Sequence, residues 1–409
     1  MTDERSPQTK LSHLGRQGTH IHGLVNPPVH RGSTVLYPDV ATRDAFRGKV
    51  FQQALTYGLE GNATHHALEE MVASIEGGAY AQIVPTGLAA ITVPLLAYLK
   101  SGDHALLPDS IYGAARDFVE KMLPGFGIRL SYYVPTASVA EIEAQILPET
   151  RVLYLESPGS YTFEMQDIPA LTGLARRRGL VTMLDNTWGV QSFQPFRHGV
   201  DVSIQALTKY VAGHSDVMLG AVIADDEAIW RRLRTTALVL GMYASPDDCW
   251  LALRGARTMG LRLERQLQSA LEVAAWLAAR PEVAEVRYPA LPGALGHEIW
   301  KRDFTGAASL FGVVFQPGYS RLAVNAMTDS LALFGIGASW GGFESLALPA
   351  GPSINRTHGS SYGEGQVVRY HIGLEAPGDL IADLQRGLNV LHANDPSGPG
   401  GGDAPGAAA

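Results

Sequence analysis

From Ala81 to about Asp225 the chain alternates short apolar runs with segments whose apolar residues recur at helical spacing. The runs are AQIVP, HALLPD, IRLSYYV, RVLYLES, LVTMLDN, VDVSIQAL and VMLGAVIAD. Between them lie a helix from Leu88 and helices through RDFVEKML, AEIEAQIL and ALTGLARR. A strand with one wet face alternates apolar and polar residues; these runs are continuous, so both faces of their sheet are expected to be covered. Strands separated by helices predict an α/β fold, a mostly parallel sheet flanked by helices.

Past Asp225 the pattern changes. A helix is expected through EAIWRRLRTTALVL and one long helix through CWLALRGARTMGLRLERQLQSALEVAAWLAAR. Shorter strands follow (VAEVRYP, ASLFGVVFQ, VVRYHIGL), then an amphipathic helix, DLIADLQRGLNVLH, and together they predict a smaller C-terminal α+β domain. The first sixty residues have no strong period and read as an arm that packs on another surface. The end, DPSGPGGGDAPGAAA, has the composition of a disordered tail. The expected division is therefore an arm over 1–60, a large domain over 61–255, a small domain over 256–394 and a tail over 395–409. At 409 residues the chain is long enough for two or three domains of about 150 residues each.

Composition narrows the function classes. Apolar content of 46% and charged content of 18% exclude disorder of the body of the chain. The longest apolar stretch, AAITVPLLAYL, is too short to span a bilayer and contains Pro94. The start, MTDERSPQTK, lacks the apolar core of a secretory signal, so a cytoplasmic protein is expected. A net charge of -8 argues against nucleic acid, and the basic run ARRRG at 175–179 fits a helix end. One cysteine, Cys249, excludes an internal disulfide and is expected to be a buried helix-packing residue. No metal is expected: the histidines of THIH at 19–22 and THH at 64–66 lack a matching carboxylate or an i,i+4 pair.

In a parallel α/β sheet, ligands gather at the carboxyl ends of the strands. Three strand ends stand out. VPTGLAA at 84–90 turns on Gly87 into a helix, where the amides of Gly87 and Leu88 would be free to hold a phosphate; many strand-to-helix turns contain a glycine without that role. VTMLDNTW ends a buried strand on Asp185, a carboxylate that needs a cationic partner or serves as a helix cap. SIQALTKYVAGHSD places Lys209 after the next run, with Thr208 beside it; a strand end reaching water explains a lone lysine equally well. Together the three supply an anion anchor, a partner for a ring nitrogen and an amine, which is what pyridoxal phosphate requires.

The stretches LYLESPGSYTFEMQDIPAL, MLDNTWGV, SIQALTKYVAGHSD, ASWGGFESL and RYHIGLE resemble the Cys/Met-metabolism family of fold-type-I pyridoxal-phosphate enzymes. The likeness runs from about Thr56 to about Leu391. PALPGALGHEIWKRDFTG at 289–306 is similar to the family's bacterial β-lyase branch, which acts on cystathionine. The resemblance implies that Lys209 carries the coenzyme and moves the substrate Cα proton, with Tyr112 stacked on the ring and also counted as catalytic. It implies Asp185 on the pyridinium nitrogen, Gly87, Leu88 and Thr208 on the phosphate, and Tyr57 reaching the phosphate of a neighbouring subunit. Arg369 would take the substrate carboxylate, with Ser339 and Trp340 lining the same pocket. The implied reaction is α,β-elimination from an S-substituted L-cysteine; with cystathionine the products are homocysteine, pyruvate and ammonia. A homo-oligomer is implied, a dimer sharing active sites and assembled as a tetramer.

Three positions depart from the family pattern. Leu59 stands where many relatives have a phosphate-binding arginine, Ala206 where many have serine, and Ala338 where β-lyases often have tyrosine. Weaker coenzyme retention is expected from the first, since a charge-assisted contact is missing. The departures leave open a γ-lyase or a lyase acting on S-alkyl-cysteines, and Leu59 with Ala338 leaves open a coenzyme-binding regulatory protein with impaired turnover.

Overall fold

The computed structural model describes residues 5–16 and 23–395. The THIH motif and most of the expected tail lie outside the described residues. Seven strands form the larger sheet: β1 (Tyr80–Val84), β2 (His104–Pro108), β3 (Arg129–Tyr133), β4 (Thr150–Glu156), β5 (Val181–Asp185), β6 (Val202–Gln205) and β7 (Gly220–Ala224). Their order is β1-β7-β6-β5-β4-β2-β3. Only β7 runs against the rest, paired antiparallel with both β1 and β6. Antiparallel neighbours need no helical crossover, so β6 returns as β7 through a single loop, Ala206–Leu219, and that loop carries Lys209.

The continuous apolar runs lie where two-sided burial requires, and β2, β6 and β7 are buried throughout. One face is covered by helices Gly87–Tyr98, Gly113–Lys121 and Glu227–Val239, whose Ala90, Val119 and Trp230 pack on Val84, Leu107 and Val222. The other is covered by helices Ala63–Glu76 and Ile168–Arg178, which bring Leu68, Met71 and Leu174 onto Ile83, Leu153 and Leu184. A second sheet of four antiparallel strands, β8 (Val283–Arg287), β9 (Leu310–Phe315), β10 (Leu346–Pro349) and β11 (Val367–His371), has the order β10-β11-β9-β8. Helix Pro377–Asn394 buries Leu380, Leu384, Leu388 and Leu391 in the core.

Several elements differ from expectation. The single long helix after Asp225 is two, Pro246–Ala256 and Met259–Ala278. Gly255, in the last turn of the first, lets that helix approach the Lys209 loop closely, since a Cβ there would lie 2.1 Å from the Ala212 carbonyl. The Gly255 carbonyl then accepts from Arg262 Nη2 at 2.8 Å. The arm contains helices Pro7–His13 and Val40–Phe46, capped by Ser6 and Asp39. Strand β10 and helices His297–Asp303 and Arg321–Asp329 had no expected counterpart. Cys249 is buried, as expected, and burial drives its thiol pKa up. The ARRRG run closes helix Ile168–Arg178, which stops at Gly179 in left-handed conformation.

Candidate active site

The carboxyl ends of the parallel strands converge on one edge of the larger sheet. There β4 ends on Glu156 and β5 on Asp185, two carboxylates paired in register. Lys209 follows β6, fixed by a turn in which its amide donates to the Ala206 carbonyl (3.1 Å). Its Nζ donates to Ser339 Oγ at 2.7 Å and lies 5.2 Å from the centre of the Trp340 ring. Burial, reinforced by the charge of Arg369 and opposed by Asp185, lowers the amine to about 8.

Arg369 comes from β11 of the smaller sheet and is buried. Its Nη2 donates to three successive carbonyls, Gly337 (3.3 Å), Ala338 (3.0 Å) and Ser339 (3.1 Å). Its Nε and Nη1 make no hydrogen bond, and no carboxylate pairs with it, among the described residues. Ser339 thus joins the two cationic groups, hydroxyl on Lys209 and carbonyl on Arg369. The segment can reach so far in because Gly341 has φ +88° and no side chain; a Cβ would sit 2.8–3.0 Å from the Lys209 backbone and Cβ. The Gly341 amide lies 3.2 Å from His371 Nε2, which also faces the Gly342 carbonyl (3.3 Å), while Nδ1 lies 3.2 Å from Ser309 Oγ. Burial keeps this histidine neutral, with a pKa down to about 3.

Burial raises the pKa of Asp185, opposed by two hydrogen bonds from Thr187, through its amide (3.0 Å) and hydroxyl (2.6 Å), and by the charge of Lys209. The Thr187 bonds form a local turn, so the capping reading of Asp185 is partly realised, although no α-helix starts there. A protonated ring nitrogen would supply the ion-pair partner that this carboxylate lacks among the described residues. Glu156 accepts from the Tyr112 amide at 2.8 Å, and burial followed by the charge of Asp185 holds its pKa well above the usual range. Tyr112 stands at the N-cap position of helix Gly113–Lys121, 45% exposed as a residue, and its pKa is raised by burial and by Asp185. Behind β5 and β6, the carboxyl of Glu76 accepts from Asn186 (2.9 Å), Ser203 (2.6 Å) and Gln205 (2.8 Å), and burial pushes it up to about 8.

Helix Gly87–Tyr98 starts at the same edge. Thr86 Oγ1 caps the Ala89 amide (2.9 Å), while the amides of Gly87 and Leu88 have no partner within the helix. A Cβ on Gly87 would lie 2.7 Å from Ala206 Cβ, so the cradle accepts an anion only with glycine at 87 and a small residue at 206. The Thr208 hydroxyl is already engaged, donating to the Leu219 carbonyl (3.1 Å) and accepting from its amide (2.9 Å). It braces the Lys209 loop, and any contact with phosphate would be shared with that role. Free amides, a small-residue cradle, an unpaired carboxylate and a lowered amine fit the phosphate, ring nitrogen and carbonyl of pyridoxal phosphate.

Tyr57 does not join this cluster within one chain. It is exposed and lines a separate cleft of about 500 Å³ with Arg31, Ser33, Leu59, Tyr243 and Asp247. His65 of the THH motif caps its own helix, its Nδ1 accepting from the Asn62 amide (3.3 Å) and its Nε2 donating to the Ala244 carbonyl (2.9 Å). Glu156, Thr187, Gly341 and His371 were not anticipated. Glu156 carries the signal that identified Asp185, a carboxylate closing a buried run, and Thr187 follows Asp185 at the spacing of a side-chain turn.

A sequence model of the Cys/Met metabolism PLP-dependent enzyme family matches residues 8–389. The chain belongs to that family. Its members use pyridoxal phosphate, and the chain is accordingly a PLP-dependent enzyme. It is 42% identical over 397 residues to the cystathionine beta-lyase of Bordetella avium, covering 95% of this chain and 98% of that one. It is 40% identical over 399 residues to the cystathionine beta-lyase of Salmonella typhimurium, covering 95% and 99%. The crystal structure of cystathionine gamma-lyase from Lactobacillus plantarum complexed with L-serine superposes with a TM-score of 0.87 at 27% identity, over 95% of this chain and all of that one. The α/β, fold-type-I architecture read from the sequence is that of this neighbour. Among the described residues no helix is long and apolar enough to cross a membrane.

Proposed function

We propose that the enzyme is a carbon–sulfur β-lyase that cleaves L-cystathionine to homocysteine, pyruvate and ammonia. The observation that carries the reading is the Ser339 bridge, which holds a lowered amine, Lys209, beside a buried arginine without a carboxylate partner. Bound pyridoxal phosphate supplies an electron sink conjugated to the substrate α-carbon. Arg369 binds the α-carboxylate and so aims the Cα–H bond at Lys209. Lys209 Nζ, with a pKa of about 8, is unprotonated often enough near neutrality to take that proton and return it to the departing sulfur. Ser339 Oγ accepts from Nζ and fixes its direction. Asp185 holds the proton of the ring nitrogen, and Glu156, through the Tyr112 amide, sets where the Tyr112 ring stacks. Gly87 and Leu88 hold the phosphate, while Trp340 lines the substrate side.

Similarity to beta-lyases over almost the whole chain supports cystathionine as substrate. Tyr57 serves the site of a second subunit in this reading, as part of a cytoplasmic homodimer assembled into a tetramer. The exposed apolar side chains of the N-terminal segment, Leu36 at 90% and Val40 at 70%, support such a covered surface. We also infer the division into an arm, a large domain and a C-terminal small domain near 60 and 255.

Incubation of the holoenzyme with L-cystathionine tests the reading. Pyruvate and homocysteine are expected in equal amounts, and Lys209→Ala is expected to lower turnover by at least about 10³-fold. A 2-oxo acid of four carbons as the main product would replace this reading by γ-elimination.

A further inference from the structure

The loop between β4 and the following helix holds a bulky residue in a conformation that such residues avoid. Tyr161 has φ 63°, in the left-handed region. The surroundings enforce it: the Ser160 amide donates to Ser110 O (2.9 Å), the Phe163 amide to Gly159 O (3.0 Å), and Arg356 Nη2 to Ser160 O (3.2 Å). Gly312, the partner of Arg369 across β9 and β11, makes room for the loop, since a Cβ there would lie 2.9 Å from the Tyr161 carbonyl. Backbone strain held by this many contacts marks residues whose side chain must point in one direction. Here the direction is Arg369, whose Cζ lies 5.1 Å from the centre of the Tyr161 ring. The ring also packs beside Val314, Ala350 and Val367. The Tyr161 hydroxyl makes no hydrogen bond among the described residues, so the ring is the part engaged.

We propose that Tyr161 is a positioning residue for the carboxylate site, its ring fixing the guanidinium plane of Arg369 so that the enzyme selects ligands with a free α-carboxylate. The inference rests on the assignment of Arg369 in the proposed function. Among the described residues Arg369 is tethered only through Nη2, to the carbonyls of one turn, which leaves the Nε and Nη1 edge of the guanidinium free of hydrogen bonds. An aromatic face over the cation fixes its plane and favours the charge electrostatically. Nε and Nη1, which make no hydrogen bond among the described residues, then remain for an incoming carboxylate.

Spectral titration of the holoenzyme's coenzyme band tests this, using L-alanine, which has an amine, a carboxylate and no leaving group, against L-alaninamide, which lacks the carboxylate. Tyr161→Leu is expected to weaken L-alanine binding roughly tenfold and to leave L-alaninamide unchanged. Tyr161→Phe is expected to stay within about twofold of wild type, because the ring suffices. Unchanged L-alanine binding in Tyr161→Leu overturns the inference. So does equal weakening of both ligands, which would mean general damage, or a Phe variant as weak as Leu, which would assign the role to the hydroxyl. A wild-type enzyme blind to L-alanine overturns the reading of Arg369 itself, whereas a responsive wild type with an indifferent Leu variant overturns this inference alone.

Discussion

Lys209 must be near neutral to act as a base, and both its burial and the neighbouring Arg369 push it that way. Burial and Arg369 lower its pKa from 10.5 to about 8, and Asp185 limits the fall. In the coenzyme-free enzyme only the unprotonated amine is a nucleophile, so its fraction drops about tenfold per pH unit below that pKa. The rate of pyridoxal phosphate uptake by the apoenzyme, followed by absorbance, should therefore rise from pH 6 to about 8 and level off above it. A rate still climbing steadily toward pH 10 would mean an ordinary lysine. The positions of Asp185 and Lys209 at the ends of buried runs were legible in the sequence, while the roles given to them rest on the proposed function. Thr208 was legible only in part, since its hydroxyl braces Leu219, a contact between residues eleven apart that no spacing rule reveals.

At the scale of elements, the turn carrying Ser339 is what couples the two sheets at the site. It reaches Lys209 from the small-sheet side, and Gly341 sets how close it comes. Gly341→Ala would need both a left-handed alanine and a Cβ within 3.0 Å of the Lys209 backbone, so the turn must retreat. Unfolding measurements should find a loss of roughly 1–3 kcal/mol. Turnover should fall by about two orders of magnitude as the Ser339 bond to Lys209 opens. A variant with wild-type kinetics would remove the Ser339 bridge from the account. The strands of the larger sheet were readable because burial on two faces writes an unbroken apolar run. Strand β10 was not: LALP is four residues, half-exposed at a sheet edge, and ends on Pro349. The long helix was misread at residues 257 and 258, which belong to neither helix although the apolar period runs on through both.

For the whole molecule, one chain brings together Lys209, Asp185, the Gly87 turn and Arg369, to which the proposed function gives the roles of amine, ring-nitrogen partner, anion cradle and carboxylate binder, while Tyr57 and Leu59 face a cleft of their own. The sequence pattern disclosed the α/β class and the strand ends, since both follow from local periodicity. Arg369 was named from the resemblance, but its carbonyl tether, some thirty residues away, and its contact with the Tyr161 ring, more than two hundred residues away, are brought together only by the fold. The assignment of Lys209 underlies every other role. Its most direct test is borohydride reduction of the coenzyme-loaded enzyme followed by peptide mapping. The coenzyme should be fixed to the peptide containing Lys209, with no labelling in Lys209→Ala. A coenzyme band indifferent to borohydride, or a label on another lysine, would contradict the account.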